Sequence, residues 1–291
     1  MDFRSLEVFV WVATLGSFRG AAAKLNTTQP AVSQRIAQLE ADLGVQLIDR
    51  SRRAVAPTAR GRLLLTGAER LLRLSAELRA EVGSREAVKA TLRLGVSETI
   101  VHTWLPRFIE RVSGEYPKLA IAIEVDITPV LAERLAAHEI DLAFLLGPVV
   151  GPATRKMTLC RFPLAFLASP ALGLCGRPVG LAEVVRVPLV TFSRRTAPYA
   201  ALAERLAGFD PRPRVHASAS LATVLRMALD GIGIALAPPA IAEREIAAGR
   251  LGIVEVEESL PDLAYTASWP AAPDGFLAEA LAKLALEEAG R

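Results

Sequence analysis

Cysteine, histidine and aromatic residues are all scarce in this 291-residue chain. The only two cysteines, Cys160 and Cys175, form no CxxC pair. That excludes a disulfide framework and a thiolate zinc site, and leaves two buried, inert thiols as the expectation. The three histidines, His102, His138 and His216, lack the spacing of a metal site or a catalytic triad. No phosphate-binding glycine loop is present. Ser97 beside Glu98 is the one tempting nucleophile-and-acid pair, and no third group accompanies it, so a non-enzyme with no metal and no cofactor is expected. The apolar N-terminal stretch is broken by Asp2 and Glu7 and reads as neither a signal peptide nor a membrane span. A cytoplasmic protein without membrane contact is therefore expected. Aromatics make up only 5% of a chain that is 52% hydrophobic, so its cores must be built mostly from Leu, Ala, Val and Ile.

A net excess of either charge is also nearly absent overall, at +3, but it is unevenly spread. Residues 1–90 carry five more positive than negative charges, and residues 91–291 carry two fewer. A positive field confined to one end points to a nucleic-acid contact there. The length implies two or three domains.

The segment Ser17–Glu40 carries the sharpest pattern. Ala21, Ala22 and Leu25 form an apolar cluster at helical spacing. Asn26, Thr27 and Thr28, poor helix formers that cap well, interrupt it. A second helix then opens at Gln29 and Pro30, with Thr28 as its N-cap and Pro30 in the first turn, where a missing N–H costs little. Val32, Ile36 and Leu39 keep one face apolar. Gln29, Ser33, Gln34 and Gln38 make the other polar, as a helix must be if one side packs and the other reads base edges in a major groove. Gly44 ends the helix. Arg50, Arg52 and Arg53 follow on a short hairpin, with Arg60 and Arg62 beyond, an arrangement suited to phosphates or a minor groove.

A helix-turn-helix followed by an arginine-bearing hairpin is a winged helix. Residues 1–57 resemble the DNA-binding domain of LysR-type transcriptional regulators. The resemblance rests on Leu6, Phe9, Ala13, Gly16-Ser17-Phe18, Ala21-Ala22, Leu25, Gln29-Pro30-Ala31-Val32-Ser33, Ile36, Leu39-Glu40, Leu43-Gly44, Leu47, Arg50, Arg53, Thr58 and Gly61, in order and without gaps. Ile48 and Pro57 depart from the family's usual Phe and Leu, with consequences for packing alone. Gln34 stands where many members carry a base-contacting arginine. Because Gln suits adenine and Arg suits guanine, this alters the expected base preference. The implied DNA-binding set is Thr28, Gln29, Pro30, Ser33, Gln34, Gln38, Arg50, Arg52 and Arg53.

From Pro57 and Thr58 a long helix is expected to run to about Ala87, roughly 45 Å at 1.5 Å per residue. Leu64, Ala68, Leu71, Ser75, Leu78 and Val82 alternate steps of four and three, a heptad seam widened by Leu65 and Leu72. Residues 58–89 therefore read as a linker and dimerisation helix, with Leu64, Ala68, Leu71, Leu78 and Val82 at the contact. Two copies so joined would present two recognition helices to a pseudo-palindromic DNA site.

From Thr91 strands and helices alternate, which gives an α/β class with helices on both sheet faces. Strands are expected at 92–96, 119–125, 141–146, 189–192, 214–217, 233–236, 251–256 and 263–269. Helices are expected at 102–112, 130–138, 199–206, 221–229, 239–248 and 276–288. Pro148–Pro152 is a loop, and the extended segment Met157–Ala168 would cross between two lobes. Residues 90–291 are similar to the effector-binding domain of the same regulators, itself similar to type 2 periplasmic binding proteins. Leu94-Gly95, Leu105-Pro106, Ile140–Phe144 and Asp230–Ala235 carry this resemblance. The implied first lobe is about 90–161 with 266–291, and the second about 162–265. The overall class is thus α/β multidomain.

Ligands of open α/β lobes sit at the carboxyl ends of strands and at helix N-termini. Ser97, Thr99, Thr128, Phe192, Ser193, Ser218 and Ser220 lie at such places, and hydroxyls with backbone N–H groups suit a small organic acid. In the family, the positions matching Thr99 and Thr128 commonly hold the effector. Plain helix capping is the alternative for each of these Ser and Thr residues. Arg194, Arg195 and His102 are the candidate cationic partners for an acid, with solvated surface the alternative for each. Phe144 and Trp104 read as core. Leu146 stands where members that bind aromatic acids often have an arginine. The resemblance implies a regulator that binds double-stranded DNA and a small-molecule effector, forms homodimers or homotetramers, and contacts RNA polymerase. Without the N-terminal region, the two lobes would equally suit a solute-binding protein.

Overall fold

The computed structural model describes residues 1–49, 55–82, 90–147, 154–257, 260–271 and 275–290; side chains at 76, 77 and 79–82 lie outside the description. The chain forms two compact units, residues 1–87 with 271–279, and 88–270 with 280–291. Among the described residues no helix is long and apolar enough to cross a membrane.

In the first unit, α1 (Phe3–Leu15) is capped by Asp2, whose carboxylate accepts from Ser5 N at 2.6 Å. The short α2 (Phe18–Lys24) starts at the Ser17 cap, and α3 (Gln29–Leu43) starts at the Thr28 cap. Gly44 closes α3 at φ 66°, a left-handed conformation that favours glycine. Strands β1 (Ile48–Asp49) and β2 (Ala56–Pro57) pair antiparallel as the base of the hairpin, and α4 (Ala59–Val82) follows. Leu6, Phe9, Val10, Trp11, Val32, Ile36, Leu39 and Ile48 share one buried core.

That core corrects the seam read along α4. Ala68 is fully buried within it, and Leu64, Leu65 and Leu72 pack against it. Among the described residues of α4, the large apolar side chains left exposed are Leu63, Leu71, Leu74 and Leu78. Thus Leu64 and Ala68 serve their own domain, whereas Leu71 and Leu78 stay free. The heptad pattern ran together two apolar stripes on neighbouring helix faces. The Val82 side chain lies outside the description.

The second unit holds two sheets. Its first segment gives β3 (Ala90–Val96), α5 (Glu98–Val101), α6 (Leu105–Glu115), β4 (Leu119–Val125), α7 (Thr128–Ala136), β5 (Leu142–Leu146) and β6 (Thr154–Phe162). The chain then passes to β7 (Ala165–Ala168), β8 (Pro178–Val179), α8 (Leu181–Val184), β9 (Leu189–Phe192), α9 (Ala197–Leu206), β10 (Val215–Ser218), α10 (Leu221–Leu229), β11 (Ile234–Ala237), α11 (Glu243–Ala247) and β12 (Gly252–Val256). It returns through β13 (Leu263–Pro270) and ends in α12 (Phe276–Ala289).

Lobe I is a five-stranded sheet in the order β4-β3-β5-β13-β6. Its first three strands are parallel, and β13 is antiparallel to both neighbours. Lobe II is six-stranded, in the order β10-β9-β11-β7-β12-β8. The segment Met157–Ala168 does cross: β6 belongs to the first sheet and β7 to the second.

Strands buried on both faces explain the unbroken apolar runs. Along β5, Ala143 and Leu145 pack with Leu131 and Leu135 of α7. Phe144 faces the other way, 5.2 Å from the rings of both Trp104 and Phe108. In lobe II, Leu189, Ile234 and Leu236 join Leu202 and Leu206 of α9 on one face, and Val190, Ala235 and Ala237 join Leu221 and Val224 of α10 on the other.

Three local readings change. The helix expected over 102–112 is α6, which starts only at Leu105 with Pro106 in its first turn, and a separate short helix, α5, precedes the expected span. The helix expected over 239–248 begins as a 3-10 turn, Pro239–Ala242. Strand β8 and helix α8, two and four residues long, are too short to show a period in the sequence. The expected loop at Pro148–Pro152 lies outside the described residues.

Candidate functional site

The first candidate surface is α3. Val32, Ile36 and Leu39 are buried, while Thr28, Gln29, Pro30, Gln34 and Gln38 are exposed and Ser33 is half-buried. Thr28 caps the helix by accepting from Ala31 N at 3.4 Å. Gln34 projects directly opposite the buried stripe. Gln38 lies one turn on, where its amide donates to Asp42 Oδ1 at 2.9 Å. Asp42 also meets the N-terminal ammonium at 2.9 Å. The Gln38 amide, then the ammonium, hold the Asp42 carboxyl below its ordinary range.

Two contacts position the wing. Glu40 Oε1 accepts from Leu47 N at 2.8 Å and from Ile48 N at 3.0 Å. Thr58 Oγ1 donates to Gln46 O at 2.8 Å and accepts from Gly61 N at 3.0 Å. Gly61 packs so closely that a Cβ there would sit 2.1 Å from the Leu47 carbonyl oxygen. From sequence Glu40 enters only as part of the family resemblance, because its role as a strut depends on the chain folding back at Gly44. Arg50, Arg52 and Arg53 lie outside the described residues.

The second candidate is a cavity of about 590 Å³ between the lobes. Lobe I lines it with Ser97, Glu98, Thr99, Val125, Asp126, Ile127, Thr128, Pro129, Leu146, Gly147 and Tyr265, and lobe II with Phe192, Arg195, Thr196, Ala197, Pro198, Ala219 and Leu221. Of the expected residues, Ser97, Thr99, Thr128 and Phe192 come together here. Ser193, Ser218 and Ser220 do not line the wall. Ser193 accepts through its carbonyl from Thr196 Oγ1 at 2.7 Å. Ser218 Oγ accepts from Ser220 N at 3.1 Å, and Ser220 Oγ caps α10 by accepting from Thr223 N at 3.3 Å. Local bonds have taken the Ser218 and Ser220 hydroxyls.

The wall residues differ in what they have left to offer. Thr128 Oγ1 accepts from Leu146 N at 3.1 Å, which leaves its O–H to donate. Thr99 is almost fully buried and hydrogen-bonded to Tyr265, whose phenol burial pushes above its ordinary pKa. Ser97 Oγ is buried with no partner. Arg195 is the cation on the wall. Arg194 instead lies 5.7 Å over the Tyr199 ring, and His102 Nε2 sits 3.4 Å from Glu98 Oε1. Phe144 and Trp104 are core, at 0% and 2% exposure.

Glu98 is the cavity's least expected feature. From lobe I it reaches the N-terminus of α10 in lobe II. Leu221 N donates to its Oε2 at 2.6 Å, Ala222 N to its Oε1 at 3.3 Å, and Ser220 Oγ to its Oε1 at 3.2 Å. Sequence alone showed only a Ser-Glu pair, because these partners lie more than a hundred residues away.

A winged unit with an exposed polar recognition helix, and two α/β lobes closing on a cavity, define a ligand-responsive DNA-binding regulator. Residues 3–62 match the family described as "Bacterial regulatory helix-turn-helix protein, lysR family", and residues 85–290 match "LysR substrate binding domain". The HTH-type transcriptional regulator BbuR of Bordetella bronchiseptica is 31% identical over 265 residues, 90% of this chain and 80% of that protein. The full-length regulator LysG of Corynebacterium glutamicum, solved with bound effector Arg, has the same fold (TM-score 0.63, 20% identity, 99% of this chain and 98% of that one). So does full-length CbnR in complex with its target DNA (TM-score 0.54, 21% identity, 99% and 100%). The chain belongs to the LysR family of transcriptional regulators, DNA-binding proteins with an effector-binding domain that are not enzymes.

Proposed function

We propose that this regulator is controlled by a small organic acid held between its two lobes. One observation carries the acid: the cleft already stabilises a carboxylate, that of Glu98, on the backbone N–H groups of α10. Helix N-termini favour anions through unsatisfied N–H groups and the helix dipole. Ser97, Thr99, Thr128 and Arg195 add donors, and Val125, Pro129, Phe192 and Pro198 supply an apolar wall for the remainder of the molecule. The effector acts only through different affinity for different lobe arrangements. DNA is read by Gln29, Ser33, Gln34 and Gln38, with Thr28 and Pro30 at the leading end of the helix, and Arg50, Arg52 and Arg53 supply phosphate or minor-groove contacts. RNA polymerase is the partner that regulation would reach, in the cytoplasm.

Self-association is proposed through α4. The exposed Leu63, Leu71, Leu74 and Leu78 provide the stripe, which shifts the contact from Leu64 and Ala68 to their neighbours. Leu74→Glu should convert the dimer to a monomer by light scattering, and an unchanged mass would place the contact elsewhere. A footprint on the DNA upstream of the coding sequence tests the whole reading. Protection should be sequence-selective, weaken steeply with salt, and change extent when the correct acid is added.

A further inference from the structure

We infer that Glu98 is a built-in occupant of the effector's anion subsite, and that an acidic effector enters by displacing it from α10. This inference rests on the organic-acid reading above. The N-terminus of α10, a nine-residue helix, is a place in lobe II where an incoming carboxylate would find backbone donors. Three of the donors there, Leu221 N, Ala222 N and Ser220 Oγ, are already spent on Glu98. The adjoining wall carries a separate mark of a ligand site: Ser97, 9% exposed, lines the same cavity, and its buried Oγ has no hydrogen-bond partner.

Because Glu98 belongs to lobe I, its bonds to α10 also latch the lobes together. A ligand carboxylate satisfies the same donors without that covalent tie to lobe I. Displacement therefore exchanges an inter-lobe bond for a ligand bond and frees the lobes to rotate. His102, 3.4 Å from Glu98 Oε1 and one helical turn along, is the nearest alternative partner for the released carboxylate. Binding and lobe release become one event, and Glu98 sets the concentration at which it occurs.

The test uses the full chain, hydrogen exchange at residues 219–223, and benzoate and succinate as probes, with benzamide and succinamide as uncharged controls. The Leu221 and Ala222 amides should be protected in the unmodified protein and exchange faster in Glu98→Ala, with the remaining protection map intact. Millimolar benzoate or succinate should restore protection in Glu98→Ala, and bind it about tenfold more tightly than the unmodified protein, because a closed latch reduces apparent affinity by the competent fraction. Glu98→Gln, which keeps the shape and loses the charge, should fall between. Unchanged exchange in Glu98→Ala overturns the latch. Equal affinity of the acids for both proteins overturns displacement while leaving the organic-acid reading in place. Binding of neither acid to either protein overturns both. Binding of benzylamine that Glu98→Ala abolishes overturns them too, with Glu98 then the counter-ion of a cationic ligand.

Discussion

The recognition helix and the inter-lobe cavity are both surfaces that offer polar groups to a partner, but the chain builds them in opposite ways. Thr28 to Gln38 place every exposed polar side chain on one helix within eleven consecutive residues. The cavity draws its wall from five strand ends between Ser97 and Tyr265, on two sheets. The first is fixed by helical periodicity, a local property. The second depends on where strands stop and on which side chains satisfy their neighbours first. The same serine or threonine hydroxyl that serves a ligand in one place serves a helix cap in another, and only the local hydrogen bonds separate the two.

The strongest way to break this contrast is Phe144→Ala. It removes the ring packed on Trp104 and Phe108 and should cost the lobed unit about 4 kcal/mol. Hydrogen exchange should accelerate through lobe I while protection in residues 1–49 stays unchanged; loss in both would show that the two units stand or fall together. Gly61→Ala is the converse, since its Cβ would collide with the Leu47 carbonyl. It should destabilise the winged unit by about 3 kcal/mol and abolish DNA retention in a gel shift, without altering effector binding by calorimetry. Gln34→Arg should leave stability unchanged and move base preference by about 2 kcal/mol at one position per half-site. Unaltered selection from a randomised site would mean Gln34 does not face the groove. Thr28→Ala, which deletes the α3 cap, should cost about 1 kcal/mol, seen as a small drop in the urea midpoint.

Much of the fold was legible because its determinants are local. The residue bounds of α10 and β9 were expected as found, Thr28 caps α3 and Gly44 ends it. The misreadings share a cause. On α4, two apolar stripes overlap in sequence, and only contact with α1 shows which one the domain uses. At Ser218 and Ser220, hydroxyls at a helix start suit either a ligand or a cap in sequence, and the fold gives Ser220 to its own helix and to Glu98.

By itself, then, the sequence determined the winged helix, the α/β alternation and the polar face of α3, because periodicity, capping and turn chemistry act over a few residues. The tertiary structure decided which leucines of α4 stay exposed, which hydroxyls reach the cavity, and that Glu98 lies on the N-terminus of a helix 123 residues further along. Those outcomes turn on long-range competition for a limited set of donors and apolar surfaces, and no local pattern records which competitor wins.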